Sequence, residues 1–258
     1  MKRNSRNVHR WLSRAPQITP EGFLLSGHKA YFCAGWEAQE RRFLKRIFPN
    51  TDLFINFGAN HGFYCCLALA CGVQTVAFEP IPENCAVMMK NVLANGWADR
   101  FSLFPVAVSN KTGLAEMHGL NRSDESLIPG FSRHGHLRSW TVPVHRVDDV
   151  IRAAEVQGRN SVILMDIEGA EVPALESAAS LLRVQPKPIW LIEVLDRPPT
   201  GRSGATVFEI MQSFGYSAWA FDGASGLERV APDADKTYSS RNFVFCQNDE
   251  GVLNTLFR

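Results

Sequence analysis

Asp52-Leu-Phe-Ile-Asn-Phe-Gly-Ala-Asn-His-Gly62, with the apolar run that ends at Phe78-Glu79-Pro80, decides the fold of this chain. An apolar strand breaks at Gly58 into a glycine-containing turn, a helix opens near His61, and a second strand ends in an acid, which together make a nucleotide-site βαβ unit. In such a unit the turn presents backbone N–H groups and a helix N-terminus to a ligand, while Glu79 is placed to accept both hydroxyls of a ribose. That geometry suits an adenosine-bearing cofactor. A dinucleotide fingerprint needs three glycines so that backbone can press on a pyrophosphate, and Asn60 stands where the middle one belongs. A methionine carboxylate and amine ask less of the loop, and a polar side chain such as Asn60 can meet them.

Outward from this unit, strands are expected near 52–57, 74–79, 101–107, 161–166, 188–195, 216–221 and 242–247. Helices are expected near 61–71, 83–95, 146–155, 170–183 and 204–214. Alternation of this kind implies an α/β fold with a mostly parallel seven-stranded sheet, helices on both faces, and a final pair at the sheet edge whose last strand runs antiparallel. Residues 1–50 read as an N-terminal extension, a basic tail followed by a lid or packing helix around 35–48 that carries Trp36, Phe43, Leu44 and Ile47 at helical spacing. Residues 51–258 read as the main domain, with an insertion near 109–145 containing His118, His134 and His136 and a short extra strand at Trp140–Val144. Those histidines lack a metal-ligand spacing with a carboxylate, and no metal is expected.

Phe57-Gly-Ala-Asn-His-Gly-Phe-Tyr64, Ala77-Phe-Glu-Pro-Ile-Pro-Glu-Asn84, Pro105-Val-Ala-Val-Ser109 and Met165-Asp-Ile-Glu-Gly-Ala-Glu171 follow one another along the chain. In that order they resemble the signatures of the FkbM-type methyltransferases, over roughly residues 50 to 195, and Leu191-Ile-Glu-Val194 stays in register. The resemblance implies a Rossmann-like class I methyltransferase fold, S-adenosylmethionine as cofactor, and methyl transfer to a hydroxyl on a sugar or natural product. It implies cofactor contacts at Asn56, Gly58, Asn60, His61, Gly62, Glu79, Pro80, Asn84, Ala107 and Asp166, and substrate contacts at Ser126, within Ser123–Leu127, and Glu168. In two places the chain departs from the family: Asn56 replaces an aspartate and His61 an aliphatic residue. An aspartate at 56 would face the cofactor ammonium, so the amide is expected to cost about 1 kcal/mol of affinity.

Catalytic groups are sought where apolar strands run into acids. Val162-Ile-Leu-Met leads into Asp166, with Glu168 two residues on, and Ile189-Trp-Leu-Ile leads into Glu193. Asp166, Glu168 and Glu193 are therefore the candidate bases for an acceptor hydroxyl, with His61 or a histidine of the insertion a competitor. Asp166 plus Glu193 supply two oxygen ligands, too few for a metal site. Glu171 suits the first turn of the following helix.

Charge and cysteine usage exclude other classes. The chain carries net charge +1, and Lys2, Arg3, Arg6, Arg10 and Arg14 all precede the first acid, Glu21, which leaves a mildly acidic remainder and no nucleic-acid footprint. Six cysteines form no C-x-x-C pair, and no run approaches the ~20 apolar residues of a membrane span. A cytoplasmic protein with a small-molecule or saccharide acceptor is expected, with a homodimer through the N-terminal helix left open. Two other readings share the fold: a nicotinamide-dependent oxidoreductase and a non-catalytic cofactor-binding protein.

Overall fold

The computed structural model describes residues 11–119, 126–127, 138–194, 205–223, 226–230 and 241–247. A two-stranded ribbon (β1, Gln17–Ile18; β2, Leu24–Leu25) and helix α1 (Ala38–Ile47) precede the first unit, β3 (Leu53–Phe57), α2 (Phe63–Ala70) and β4 (Gln74–Phe78). Helix α3 (Pro82–Ala94) leads to β5 (Phe101–Phe104), and then β6 (Ala107–Ser109), β7 (Gly113–Gly119) and β8 (Arg138–Arg146) follow. Short helices α4 (Val147–Val150) and α5 (Ala153–Val156) lead to β9 (Ser161–Met165), α6 (Glu171–Glu176), β10 (Ile189–Glu193), α7 (Ala205–Ser213), β11 (Ser217–Phe221), β12 (Leu227–Arg229) and β13 (Asn242–Cys246).

The main sheet has the order β12-β11-β13-β10-β9-β3-β4-β5. β3 pairs in parallel with both β4 and β9, and all five of its residues are buried, which is why it reads as an unbroken apolar run. Leu53, Ile55 and Phe57 pack into one core with the elements from α4 to α7, and Phe54 packs on the other face with α1, α2 and the N-terminal segment. The fold is a Rossmann-like α/β architecture of the class I methyltransferase type, with helices on both faces.

All seven expected strands are present, with three differences. β13 is antiparallel as expected but lies between β10 and β11, and the edge is the unforeseen β12, three residues long and partly polar. The strand expected over 101–107 breaks at Pro105, which has no N–H for a ladder; β6 beyond it joins β8 and β7 in a separate three-stranded sheet. The expected helix over 146–155 splits where Ile151 turns extended, and the one over 170–183 stops at Ser177, whose hydroxyl is bonded to Ser109 and Ala174 carbonyls. Among the described residues no helix is long and apolar enough to cross a membrane.

The N-terminal segment is clasped onto α3 by two amides. Asn91 exchanges hydrogen bonds with the Ser26 backbone (2.6 and 2.9 Å) and Asn95 with the Leu24 backbone (2.9 and 2.7 Å), so each side chain mimics a strand partner. Arg41, 4% exposed, pairs with Glu21 and donates to the Cys33 and Trp36 carbonyls. These bonds fix residues 24–37 across the carboxyl ends of the strands.

Candidate active site

A cavity of about 250 Å³ opens at the carboxyl ends of β3, β4, β9 and β10. Two loops form its floor, and each is held by one acid. In the first, Gly58 adopts φ +82°, and a Cβ there would lie 1.9 Å from the Asp166 carbonyl oxygen, so only glycine allows β3 and the end of β9 to approach so closely. Gly62, at φ +80°, would meet Met88 of α3 at 2.4 Å. Glu79, 4% exposed, then accepts from Asn60 N–H (2.8 Å), Ile81 N–H (2.9 Å) and Asn84 Nδ2 (3.2 Å), which draws the loop onto the end of β4. In the second loop Glu171 accepts from the N–H groups of Ile167 (3.0 Å) and Gly169 (3.2 Å). Burial pushes the Glu171 carboxyl up to about 7 despite those bonds.

The first loop differs from its expected form. The N–H groups of Gly58 and Ala59 bond to the Phe78 carbonyl, that of Asn60 to Glu79, and that of Gly62 to the Ala59 carbonyl. Four of the five amides of residues 58–62 are thus committed to protein acceptors and do not point at a ligand. Glu79 likewise meets the cavity with a carboxylate that already holds three protein donors.

Of the residues singled out from sequence, Gly58, Asn60, Glu79, Pro80, Asn84, Ala107, Asp166, Glu168 and Glu193 line the cavity. Gly62, which opens α2 and packs against Met88 of α3, does not line it. Asn56 does not reach it: successive strand residues alternate faces, so Asn56 shares the face of Phe54 and lies under α2, with Nδ2 3.6 Å from Cys65 Sγ and Oδ1 without a partner. His61 does not reach it either. It is 6% exposed, 3.4 Å from the Tyr31 hydroxyl and edge-on to Trp11, and burial lowers its pKa to about 3, so it is a neutral packing residue under the N-terminal segment. Ser126 is fully buried, and its hydroxyl donates to the Glu168 carbonyl at 2.6 Å, which anchors the insertion to the second loop. His134, His136 and Ser123–Glu125 lie outside the described residues.

Oxygens of Asp166, Glu168 and Glu193 lie within 4.8 Å of one another, so the sequence expectation of two neighbouring acids becomes three. A hydrogen bond joins Asp166 and Glu193. Desolvation, followed by the charges of Asp166, Glu168 and Glu171, raises Glu193 to about 10, and desolvation also raises Asp166, while the bond from Glu193 lowers it. At neutral pH the shared proton therefore sits on Glu193, and Asp166 is the acceptor of the pair.

The N-terminal segment, expected from sequence as a lid or packing helix carrying Trp36, supplies a wall in which His28, Tyr31 and Glu37 were not foreseen, meeting Phe63 and Tyr64 of α2. Tyr64 donates its hydroxyl to Glu37 in a short hydrogen bond. The apolar end of the cavity is formed by Ile81, Val106, Ala107, Met117 and Leu127. Five acids and no lysine or arginine are among the described lining residues, and Asn60 Oδ1 is a buried acceptor with no donor on it. Such a lining suits a ligand with cationic or donor groups at one end and an apolar ring at the other. S-Adenosylmethionine, with its sulfonium, ammonium and adenine, has that form, whereas a pyrophosphate meets carboxylates and a loop whose amides are spent.

A profile of the "Methyltransferase FkbM domain" matches residues 56–218, more than half of the chain. No curated protein sequence matches. Among solved structures, a methyltransferase FkbM from Methylobacillus flagellatus KT is 16% identical with a TM-score of 0.46, covering 76% of this chain and 43% of its own. This chain thus spans less than half the length of that protein. A precorrin-6y C5,15-methyltransferase from Geobacter metallireducens GS-15 is 11% identical, with a TM-score of 0.43 and coverages of 89% and 96%. A ribosomal protein L11 methylase from Lactobacillus delbrueckii subsp. bulgaricus is 8% identical, with a TM-score of 0.46 and coverages of 83% and 80%.

Proposed function

The chain belongs to the FkbM methyltransferase family, and from that premise we propose that it transfers a methyl group from S-adenosylmethionine to a hydroxyl oxygen of an uncharged acceptor, a sugar or a natural product. One observation carries this reading: a cavity at the strand ends lined by five acids and no lysine or arginine among the described residues. Phosphate-bearing or carboxylate acceptors would face like charge there, so RNA and acidic peptides fit poorly. A nicotinamide dinucleotide is disfavoured on the same ground.

When bound, S-adenosylmethionine supplies a methyl group on a positively charged sulfur that leaves as a neutral thioether. The apolar end at Ile81, Ala107 and Met117 suits the adenine, Asn84 and Glu79 border the ribose, and Asn60 Oδ1 suits the ammonium. Asp166 takes the acceptor's hydroxyl proton, with Glu193 holding its own proton and orienting Asp166 through their hydrogen bond. Glu168, kept at φ +53° with its carbonyl tied to Ser126, borders the acceptor. Trp36, Tyr31 and Phe63 keep water from the reacting end.

Calorimetry with S-adenosylmethionine and with NAD tests the donor: one site per chain for the first and none for the second is expected. Transfer of labelled methyl to neutral glycosides and polyketide alcohols, with uronic acids, sugar phosphates and an RNA oligomer as charged comparators, tests the acceptor. Methylation confined to the charged set would overturn the reading.

A further inference from the structure

Glu37 belongs to no part of the βαβ unit, yet it lines the cavity together with Asp166. It takes φ +42° at the start of α1, a left-handed conformation uncommon for a glutamate, and its carbonyl accepts the Arg41 N–H at 3.0 Å. Tyr64 is its side-chain hydrogen-bond partner, and Arg41 is committed to Glu21 and to the carbonyls of Cys33 and Trp36. Arg41 is thus only a weak counter-charge for Glu37, smaller in effect than the like charges of Asp166 and Glu40. A buried carboxylate with one hydrogen-bond donor and little opposite charge in an aromatic wall is costly unless a ligand completes it.

The acids at the ends of β9 and β10 mark where an open α/β sheet places its reacting groups. We propose that Glu37, carried into the cavity by the N-terminal segment and fixed by Tyr64, is the counter-ion for the positive charge at the reacting end of the donor, so that the site distinguishes the charged donor from its neutral thioether product. This rests on the S-adenosylmethionine reading. Its consequence is product release: once the methyl group has left, the attraction between Glu37 and the sulfur is gone.

Titration agrees in sign. Desolvation, then the charges of Asp166 and Glu40, raise Glu37 to about 7, against the Tyr64 bond and Arg41, which lower it. The groups facing it are Tyr64 from α2, Asp166 from the end of β9, with Glu168 and Glu193 beyond, and Glu40 and Arg41 from α1. A cation alongside favours the carboxylate, so preference for a charged ligand is full above pH 7 and fades as pH falls below it.

The test compares two probes by calorimetry on the full chain: sinefungin, which has an ammonium where the donor has its methylsulfonium, and S-adenosylhomocysteine, which is neutral there. At pH 8 sinefungin is expected to bind about tenfold more tightly, the scale of one charge-assisted contact. Glu37→Gln should bring the ratio towards one with S-adenosylhomocysteine affinity kept within about twofold, while Tyr64→Phe, which retains the charge, keeps most of the preference. In the unmutated protein the ratio should shrink between pH 8 and pH 6, which tests the idea even if Glu37→Gln does not fold. An unchanged ratio in Glu37→Gln, equal weakening of both probes, or a ratio flat with pH overturns the proposal. Binding of neither probe to the unmutated chain removes the donor reading itself, and this inference with it.

Discussion

Replacing Glu79 by Gln tests whether one carboxylate organises the glycine loop. Three donors converge on it: Asn60 N–H at 2.8 Å, Ile81 N–H at 2.9 Å and Asn84 Nδ2 at 3.2 Å. Glu79 is 4% and Ile81 1% exposed, so water cannot replace a lost acceptor at Ile81. Glutamine changes no volume but puts an NH2 against one of the two backbone N–H groups. One buried bond is then lost and two donors face each other, a cost of about 2–4 kcal/mol. For a domain of this size that lowers Tm by roughly 5–12 °C, with the loss also visible in the urea midpoint. Asn60, at φ +49°, would relax from its left-handed conformation once untethered, so S-adenosylmethionine affinity should fall by about tenfold or more. A Glu79→Gln protein with unchanged Tm and unchanged affinity would show that the loop holds its shape without the carboxylate.

Asp166→Asn should lower single-turnover methyl transfer by about a hundredfold or more with cofactor affinity nearly kept, and a near-normal rate would remove Asp166 as the base. Asn56→Asp, instead of tightening the cofactor as the sequence suggested, should destabilise the fold by about 2 kcal/mol or more in urea melts at pH 7, because the acid would be buried beside Cys65; a Tm equal to that of the parent would refute this. His61, whose pKa falls from 6.5 to about 3, binds its proton in the unfolded chain first, so stability should decline below pH 6.5 by about 1 kcal/mol per pH unit until about pH 3. His61→Phe should flatten that slope in urea melts taken from pH 7 to pH 4, and an equally steep decline in the variant would assign it to other groups.

The strands and the acids at their ends were legible because period and burial coincide. Each of β3, β9 and β10 is packed on both faces and so is written in apolar residues, and an acid straight after such a run stands out. What escaped was the direction of single side chains and the partners of backbone amides. Asn56 sits one residue from Phe57 at the strand end, but the two-residue alternation turns it under α2 on the face of Phe54. The commitment of the loop amides to Phe78 and Glu79 depends on how β3 and β4 stack in register, which no local pattern encodes. Glu79 both lines the cavity and holds the loop, and the second role was not legible because a strand-end acid has one sequence signature whether it meets a ligand or a loop.

The N-terminal wall was hidden more deeply. Trp36 and its neighbours read as one face of a helix from 35 to 48, yet α1 begins at Ala38, and Glu37 leaves the helical conformation. Among the described residues, the three with positive φ that are not glycine are Glu37, Asn60 and Glu168, and all three line the cavity. Each comes from a different part of the chain, and each is restrained by a neighbour: Glu37 by Tyr64, Asn60 by Glu79, Glu168 by Ser126. A left-handed conformation costs a side-chain-bearing residue about 1 kcal/mol or more, so three such residues around one cavity are kept there by contacts distant in sequence. Local propensity argues against Glu37 and Glu168, and tolerates Asn60 because asparagine enters the left-handed region more readily. Two of the three conformations that shape the cavity are thus ones that local sequence rules disfavour, which is why the strands could be read from the chain and the cavity wall could not.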